Sequence, residues 1–449
     1  MSLHRGLDSA RPVLGTRPLL WAVVVAVLAS LVVGMSPAVA AARSSHDAIR
    51  VSRSFFGLHD ASQRAYDHVS FGALRIWDAG ATWKDVETAP GHYDWTHLDS
   101  LVAGAQDHRV QVTLVLGMTP SFYAARASRP PSHLRAFRNY VRAVMARYRD
   151  FRGRRGISAY QVWNEGNVST FWTGTPHRLA ELTRLVDRVR DDVDPRAKVV
   201  APSFAVRLQG ERRWLAAFQS QRLSGRPVWS FYDVNALSLY PKASYDGRLG
   251  APEDAMALLR QVRRQFARVG VPRGRPIWAS EINYGVGSGS AGPVGVDPLS
   301  DRRQVANVLR TYLLAAANGL GRVFWYRYDW GEVPGVGALA NTLLSDPNDA
   351  NRISPAGRAL STVEHWLQGR IVLPSGRHAI QPNSQGTYVL VVRHRGGLRK
   401  IYWNPGHVAQ VRARGADVLQ DQAGADTRLA GRTATLRVDY RPVMLDWRR

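Results

Sequence analysis

Short apolar segments alternate with longer amphipathic segments along most of the chain. The apolar segments are rich in β-branched and aromatic residues and are followed by turn-forming residues, as buried strands are. The amphipathic segments repeat their apolar positions every three or four residues, which predicts helices. Strands are predicted at residues 55–59, 73–78, 110–117, 160–165, 199–203, 234–240, 277–281 and 323–328. Helices are predicted at residues 132–148, 177–193, 211–222, 253–269, 300–318 and 354–367, with a shorter one at residues 61–69.

The alternation of strands and helices over residues 54–369 predicts an α/β fold of parallel β/α units. Eight such units close into a (β/α)8 TIM barrel, and a doubly wound open sheet is the alternative. Over residues 370–449 the helical period is absent, and short strand patterns between glycine and proline turns predict a small C-terminal antiparallel β-sandwich. Its strands are predicted at residues 387–394, 399–404, 408–413, 433–438 and 443–447.

The N-terminal segment has the pattern of an export signal. Three arginines precede an uncharged apolar run at residues 19–35, and residues 38–40 (AVA) match a small-residue cleavage site. The pattern predicts a secretory signal peptide over residues 1–40, followed by a spacer at residues 41–53. An uncleaved N-terminal membrane anchor is the alternative, because the run is almost long enough to span a bilayer. Both interpretations predict a protein that is secreted or associated with the cell envelope.

The composition excludes some classes of site and partner. The chain has no cysteine, which excludes disulfides, thiolate metal sites and a cysteine nucleophile. Its formal net charge is +25, but arginine is spread along the whole chain and is not gathered in an arm, so we predict no nucleic-acid partner. A basic surface favours electrostatic association with an anionic cell envelope. The residues indicate no oligomeric state.

Two glutamates follow strand patterns that are far apart in the sequence. Residues 159–167 (AYQVWNEGN) lead a strand into Glu165, and residues 276–285 (PIWASEINYG) lead another into Glu281. In β/α barrels the catalytic groups come from the C-terminal ends of several strands, and strands four and seven lie across the barrel mouth from each other. Two carboxyl groups about 5 to 5.5 Å apart cleave a glycosidic bond with retention, one as nucleophile and one as acid and then base. The residues alone leave open which glutamate keeps the proton.

Each glutamate also has a structural interpretation, and some other patterns are set aside. Glu165 could stabilise a helix N-terminus, and Glu281 could be the ion-pair partner of an arginine.

Residues 287–292 read G-x-G-x-x-G, but a proline follows instead of a helix, which predicts a flexible lid beside Glu281 and not a dinucleotide site. The sequence has no H-E-x-x-H pair, so neither a metalloprotease nor a metal site is predicted.

The sequences WNEGN at residues 163–167 and SEINY at residues 280–284 resemble the strand-four and strand-seven motifs of the retaining β/α-barrel glycosidases of clan A. They are most similar to the motifs of glycoside hydrolase family 39. The resemblance implies that Glu165 is the acid/base, that Glu281 is the nucleophile and that no cofactor is needed. The chain departs from the family at Gly166, where many members carry proline, and this departure predicts a looser loop.

The resemblance also implies roles for four neighbours of the glutamates. Asn164 would hold the 2-hydroxyl of the sugar, Arg75 and Tyr240 would support the nucleophile, and Trp325 would form the floor of the sugar subsite. Each role has an alternative: Arg75 could pair with an acid of the core, and the two aromatic residues could be ordinary barrel packing.

Further aromatic side chains in the strand-end loops are candidates for stacking on sugars, because apolar sugar faces suit aromatic surfaces. They are Trp77, Trp83, Trp172 and Trp330, and we expect about half of them to be packing residues. Of these, Trp77 is assigned to substrate binding together with Asn283 of the strand-seven motif.

The sequence therefore predicts an exported retaining glycoside hydrolase that cleaves O-glycosidic bonds of a poly- or oligosaccharide by double displacement. A non-catalytic carbohydrate-binding barrel at the cell surface is one alternative. A transglycosylase is another, since it shares every catalytic residue. The residues do not indicate which glycan is bound or whether cleavage is internal or terminal, because loop shapes determine both.

Overall fold

The computed structural model describes residues 48–241, 250–284, 299–329, 342–346, 349–374, 379–429 and 433–448. The chain divides into the units Met1–Ala48 and Ile49–Arg449. The predicted signal peptide, most of the spacer, the predicted lid at residues 287–292 and Trp330 lie outside the described residues. Within those residues, no helix is long and apolar enough to cross a membrane.

Eight parallel strands close into a barrel, which confirms the predicted (β/α)8 architecture and excludes the open sheet. The eighth strand pairs with the first, so that Phe324 is the register partner of Gly57. A side chain at Gly57 would place its Cβ 2.6 Å from the Phe324 ring, so the closure requires glycine there. The strands, numbered one to eight in chain order, are Phe56–Leu58, Ala73–Ile76, Gln111–Leu116, Ile157–Val162, Lys198–Ala205, Val234–Ser238, Ile277–Ile282 and Arg322–Trp325.

All six of the longer predicted helices are present, and each ends within three residues of the prediction. Local signals set their starts: Thr175 accepts a hydrogen bond from the backbone N–H of Arg178 at the start of one helix, and Pro176 follows it at a position where proline is favoured. The α-helices described are Trp83–Val86, Thr96–Asp107, Leu134–Tyr148, Pro176–Val193, Gln209–Gln219, Pro252–Arg268, Asp301–Ala317 and Pro355–Leu367.

The first β/α unit differs from the prediction. The helix predicted at residues 61–69 is wrong in extent, because only the 3-10 turn Arg64–Asp67 forms there. The carboxylate of Asp60 accepts hydrogen bonds from the backbone N–H groups of Ser62, Gln63 and Ala65, which are therefore held in a turn. The helix of the second unit, Thr96–Asp107, was not predicted.

The C-terminal part is a β-sandwich, as predicted. A seven-stranded antiparallel sheet faces a two-stranded ribbon, and Tyr402, Val438 and Leu445 pack between the two layers. The strand Ala48–Arg50, which precedes the barrel in sequence, lies at one edge of the sheet and was not predicted. In spatial order the sheet consists of Ala48–Arg50, Arg370–Val372, Tyr388–His394, Gly397–Trp403, Val443–Arg448, Val418–Gln420 and Asp426–Arg428. The ribbon consists of Ala409–Ala413 and Ala434–Val438.

Candidate active site

The two predicted glutamates lie at the C-terminal ends of strands four and seven. Glu281 is the last residue but one of strand seven, and Glu165 follows strand four after a turn. Trp163 and Glu165 have left-handed backbone angles, with φ of 67° and 36°. The Trp163 indole is fully buried and donates a hydrogen bond to the Phe171 carbonyl over 2.7 Å, which holds the turn in this strained conformation.

Glu281 is buried and accepts hydrogen bonds on both carboxylate oxygens. Its Oε1 lies 2.8 Å from Nη1 of Arg75, and its Oε2 accepts a hydrogen bond from the hydroxyl of Tyr240 over 3.0 Å. Arg75 comes from strand two and Tyr240 follows strand six, so three barrel strands converge on this one carboxylate. Two donors on a carboxylate favour its ionised form.

The guanidinium of Arg75 is buried and joins strands two, four and seven. Its Nε donates to Oε1 of Gln161 over 2.9 Å, and its Nη2 donates to Oδ1 of Asn164 over 2.6 Å. The Gln161 amide in turn donates to the carbonyl of Trp163 over 2.8 Å. A buried arginine needs this set of acceptors, because an unpaired buried charge is costly. Gln161 was not predicted, although it is a polar residue in the middle of an otherwise apolar strand.

Asn164 has one fixed orientation. Its Oδ1 accepts hydrogen bonds from Arg75 and from the Ser203 hydroxyl, the latter over 3.0 Å. Both partners are donors, so the amide oxygen must face them and the Nδ2 group must face away. The Ser203 hydroxyl also accepts a hydrogen bond from the backbone N–H of Glu165 over 2.8 Å. Strand five therefore positions both residues of the strand-four turn, a contribution that the sequence did not reveal.

The electrostatic surroundings of the two glutamates differ. Burial raises the pKa of Glu281 above its usual value, the nearby Glu165 adds to the rise, and Arg75 opposes it. Burial also raises the pKa of Glu165, while the Ser238 hydroxyl and Arg75 lower it. Among the described residues, no side-chain donor other than Ser238 contacts the Glu165 carboxyl. The better-paired carboxylate is Glu281, so the proton belongs on Glu165.

A second polar cluster lies beside Glu281 and was not predicted. Nε2 of His59 lies 3.0 Å from the carbonyl of Ser280 and 3.3 Å from Nη1 of Arg75. Nδ1 of His59 lies 3.9 Å from Asp78, which also accepts a hydrogen bond from the hydroxyl of Tyr326. Burial would raise the pKa of Asp78, but His59, Arg327 and Tyr326 hold it below its usual value. Catalytic groups of β/α barrels follow the C-terminal ends of the strands. This pattern could have indicated the cluster, because its members follow strands one, two and eight.

Trp325 does not reach the site, which corrects its predicted role as the floor of the sugar subsite. Its side chain is completely buried, donates a hydrogen bond to the Thr342 carbonyl over 3.0 Å, and packs against Tyr284 and Tyr312. It therefore faces the outer helix layer, because side chains alternate between the two faces of a strand. The next residue, Tyr326, is the strand-eight aromatic residue at the site, with its ring 6.5 Å from that of Tyr240.

Asn283 is also separated from any substrate by its own hydrogen bonds. Its amide nitrogen donates to the carbonyls of Tyr326 and Thr342, and its Oδ1 accepts from the backbone N–H groups of Tyr284 and Thr342. The side chain holds the strand-seven and strand-eight segments together, so its predicted contact with substrate is not supported. Its amide has no donor left for a ligand.

The predicted stacking tryptophans are largely packing residues. Trp77 is 6% exposed and its ring contacts Phe171 edge-on at 5.8 Å. Trp83 is fully buried against Tyr140, and Trp172 is buried against Trp163. Across the described part of the chain, no group of three or more histidine, aspartate and glutamate side chains could hold a metal ion.

Comparisons with known proteins identify the fold. No protein-family model matches the chain, and no curated protein matches it in sequence. A family 39 glycoside hydrolase structure from Bacteroides cellulosilyticus matches with a TM-score of 0.61 at 15% identity, covering 89% of this chain and 82% of that chain. A β-xylosidase from Caulobacter crescentus matches with a TM-score of 0.62 at 16% identity, covering 90% of this chain and 97% of that one.

A third solved structure extends the likeness to another glycosidase family. The family 30 endoxylanase from Clostridium papyrosolvens matches with a TM-score of 0.57 at 11% identity, covering 90% of this chain and 98% of that one. At these identities the likeness concerns the fold. The chain has the barrel-and-sandwich fold of the clan A glycoside hydrolases, and its predicted resemblance to family 39 of that clan is confirmed at the level of the fold.

Proposed function

We propose that the protein is a retaining glycoside hydrolase that cleaves O-glycosidic bonds through a covalent glycosyl-enzyme. The observation that carries the proposal is the pairing of Glu281 with Arg75 and Tyr240, beside a Glu165 carboxyl that has only the Ser238 hydroxyl as a side-chain donor among the described residues. A well-paired carboxylate beside a protonated carboxyl group of raised pKa is the set of groups that double displacement needs.

In the first step, a carboxylate oxygen of Glu281 attacks the anomeric carbon. A bond forms between that oxygen and the carbon, and the glycosidic bond breaks. Glu165 gives its proton to the departing oxygen, so the leaving group departs as a neutral alcohol. Arg75 and Tyr240 orient the Glu281 carboxylate before the attack, and their hydrogen bonds favour its ionised form against the burial that raises its pKa.

In the second step, Glu165 is a carboxylate and removes a proton from the attacking water. The water oxygen bonds to the anomeric carbon, the ester to Glu281 breaks, and both carboxyl groups regain their starting states. The negative charge of Glu281 is absent in the glycosyl-enzyme, so the pKa of Glu165 falls when it must act as a base. The same pair therefore serves both steps.

Asn164 is the residue that we assign to the sugar ring. Its oxygen is occupied by Arg75 and Ser203, and its Nδ2 group remains available to donate to a sugar hydroxyl beside the reacting carbon. A hydrogen bond there would strengthen as charge develops on the ring.

We also propose that the protein is exported, on the basis of the N-terminal pattern of residues 1–40. The substrate would then be a glycan outside the cytoplasm. The mass and N-terminal sequence of the protein recovered from culture medium and from the envelope fraction test the proposal. Recovery of the full-length chain from the cytoplasm alone would contradict it.

The central experiment measures release of reducing ends from plant, fungal and bacterial-envelope polysaccharides. We expect release by the wild type and none by Glu281→Gln, whereas Glu364→Gln, on a helix far from the strand ends, retains full activity. Proton NMR of the first product formed gives its anomeric configuration, and inversion would contradict the mechanism. Binding of a glycan without release by the wild type would instead identify a non-catalytic carbohydrate-binding barrel, and chain lengthening would identify a transglycosylase.

A further inference from the structure

The outer surface of the barrel carries a groove between two neighbouring helices. The helices Leu134–Tyr148 and Pro176–Val193 pack against each other, and the groove between them has a volume of about 770 Å³. From Leu134 to Arg142 the first helix rises ~12 Å, which gives the groove its length. Arginine is the residue type most frequent in its lining: Arg135, Arg138, Arg142, Arg184 and Arg188.

The two carboxylates of the groove are already neutralised by arginines. Asp192 pairs with Arg142 across the groove, with 3.3 Å between the oxygen and Nη2. Glu181 pairs with Arg178 of its own helix over 2.9 Å. These pairs are local, and no carboxylate of the groove remains to balance the other arginines.

Three of the arginines have no partner within the described residues. Arg135, Arg138 and Arg188 form no hydrogen bond and no ion pair there, while Arg184 donates to the neutral hydroxyl of Ser224 over 3.0 Å. Arg135 and Arg138 are three residues apart on the same helix face, where neighbouring like charges repel each other. An anion bound between the helices would relieve this repulsion.

The floor of the groove is aliphatic. Leu185 and Val189 lie between the arginines, and none of the residues that line the groove is aromatic. Single-stranded nucleic acid binds through bases stacked on aromatic side chains, and this surface lacks such stacking surfaces. A membrane-binding surface needs large apolar side chains that project outward, and the exposed large apolar residues of the described chain, Phe122, Leu208 and Val408, lie elsewhere.

We propose that this arginine groove binds a strand of a carboxylated polysaccharide, at a site separate from the catalytic cleft. The planar guanidinium groups match carboxylates in a bidentate manner, and the aliphatic floor suits the C–H faces of sugar rings. The catalytic residues lie at strand ends inside the barrel, whereas the groove lies on its outer helices, so the proposal does not depend on the proposed hydrolase activity. Bound there, the polysaccharide would keep the enzyme on an acidic glycan matrix.

The experiment measures the affinity of the full chain for polygalacturonate by isothermal titration calorimetry at physiological salt. The variant Arg135→Gln/Arg138→Gln/Arg188→Gln removes the three unpaired charges. We expect its affinity to fall by at least about 10-fold, which corresponds to about 1.4 kcal/mol. The loss of three charge-assisted contacts could produce a larger fall. Dextran, an uncharged polysaccharide, should not bind to either protein.

A matched variant separates the groove from the general positive charge of the chain. Arg264→Gln/Arg268→Gln/Arg273→Gln removes the same charge from exposed arginines on and after the helix Pro252–Arg268, and it should lose less than about 3-fold in affinity. Equal losses in the two variants would reduce the binding to non-specific attraction and overturn the proposal.

Two further arms locate the binding and identify the anion. Glu281→Gln should bind polygalacturonate as the wild type does, and a loss of binding there would assign the polymer to the catalytic cleft. Inorganic polyphosphate should bind more weakly than polygalacturonate, and the reverse order would replace the carboxylate ligand by a phosphate one. Circular dichroism of both triple variants checks that they are folded. A fall in affinity can then be assigned to the lost charges and not to unfolding.

Discussion

Arg75 has a fully buried guanidinium, and this one residue connects Glu281, the proposed nucleophile, to the rest of the site. Its three nitrogens reach Glu281, Gln161 and Asn164 over 2.6 to 2.9 Å. Lysine would keep the charge but would reach one of these acceptors at a time, because its ammonium lacks the planar fork of arginine. The orientation of Glu281 and that of Asn164 are therefore coupled through a single side chain.

At the residue scale, the roles of the two glutamates lead to a pH prediction. Burial raises the pKa of Glu165, so its carboxyl group keeps its proton to higher pH than an exposed glutamate does. The value of kcat/KM should fall as the pH rises through this pKa, because the unprotonated form cannot protonate the leaving group. Glu165→Ala should remove that basic limb and slow cleavage of an unactivated glycoside by about 100-fold or more, with little loss on a dinitrophenyl glycoside.

The measurement is the pH profile of kcat/KM for both substrates with the wild type and with Glu165→Ala. Equal losses on the two substrates would contradict the acid role of Glu165. The control Glu364→Gln, on the outer helix Pro355–Leu367, should leave the basic limb in place.

The strand patterns predict the two glutamates, and the family resemblance adds Asn164, Arg75 and Tyr240, but neither predicts which side chain of strand eight faces the site. Glu165 and Glu281 follow apolar strand patterns, so their position at the barrel mouth can be deduced. Whether Trp325 or Tyr326 faces the site depends on the direction of alternation in strand eight, and a one-residue difference reverses it. Asn283 shows the same limitation, because its partners at Thr342 are distant in sequence.

At the scale of the element, the turn after strand four is held from several sides. The backbone N–H of Gly166 donates to the carbonyl of Ser203 over 3.0 Å, and the backbone N–H of Glu165 donates to the hydroxyl of the same residue. A Cβ atom at Gly166 would overlap the side chain of Leu179. The sequence predicted that this glycine would loosen the loop. Instead, the glycine allows the turn to lie directly on strand five and on the helix Pro176–Val193, which contains Leu179.

This contact gives a prediction for two substitutions of Gly166. Gly166→Pro should lower the free energy of unfolding by about 2 to 4 kcal/mol, because it removes the hydrogen bond to Ser203 and forces Leu179 to move. Gly166→Ala keeps the N–H and should cost only about 1 to 3 kcal/mol. Urea unfolding followed by circular dichroism measures both, and a proline variant as stable as the wild type would contradict this account.

The elements themselves could be predicted where their apolar pattern is unmixed. All eight barrel strands and six helices could be predicted from the spacing of their apolar residues and from the turn-forming residues that end each segment. The spacing is clear because each element is buried on a defined face. Thr96–Asp107 was not predicted, although Leu98, Leu101, Val102 and Ala105 have helical spacing and Asp94 accepts a hydrogen bond from the backbone N–H of Thr96 at its start. The edge strand Ala48–Arg50 could not be deduced, since its partner Arg370–Val372 lies on the far side of the barrel sequence.

At the scale of the whole molecule, the β-sandwich and the barrel share one core. Trp403 of the sandwich is fully buried, stacks on Tyr388, and donates a hydrogen bond to Oε1 of Glu253 on the barrel helix Pro252–Arg268 over 3.1 Å. Glu253 also pairs with Arg310 of the next barrel helix. The apolar cluster between the barrel strands and the outer helices continues through Trp403 into the sheet, so the barrel and the sandwich share part of their core.

This shared core predicts that the barrel and the sandwich unfold together. In urea, circular dichroism of the barrel helices and fluorescence of the tryptophans should report a single coincident transition. Trp403→Phe keeps an aromatic ring but removes the hydrogen bond to the charged Glu253, so the free energy of unfolding should fall by about 1.5 to 3 kcal/mol. Trp214→Phe is the matched control, because Trp214 packs on Phe204 and its indole nitrogen has no acceptor among the described residues. Two separate transitions in the wild type, or equal losses in the two variants, would show that the sandwich is attached to the barrel without stabilising it.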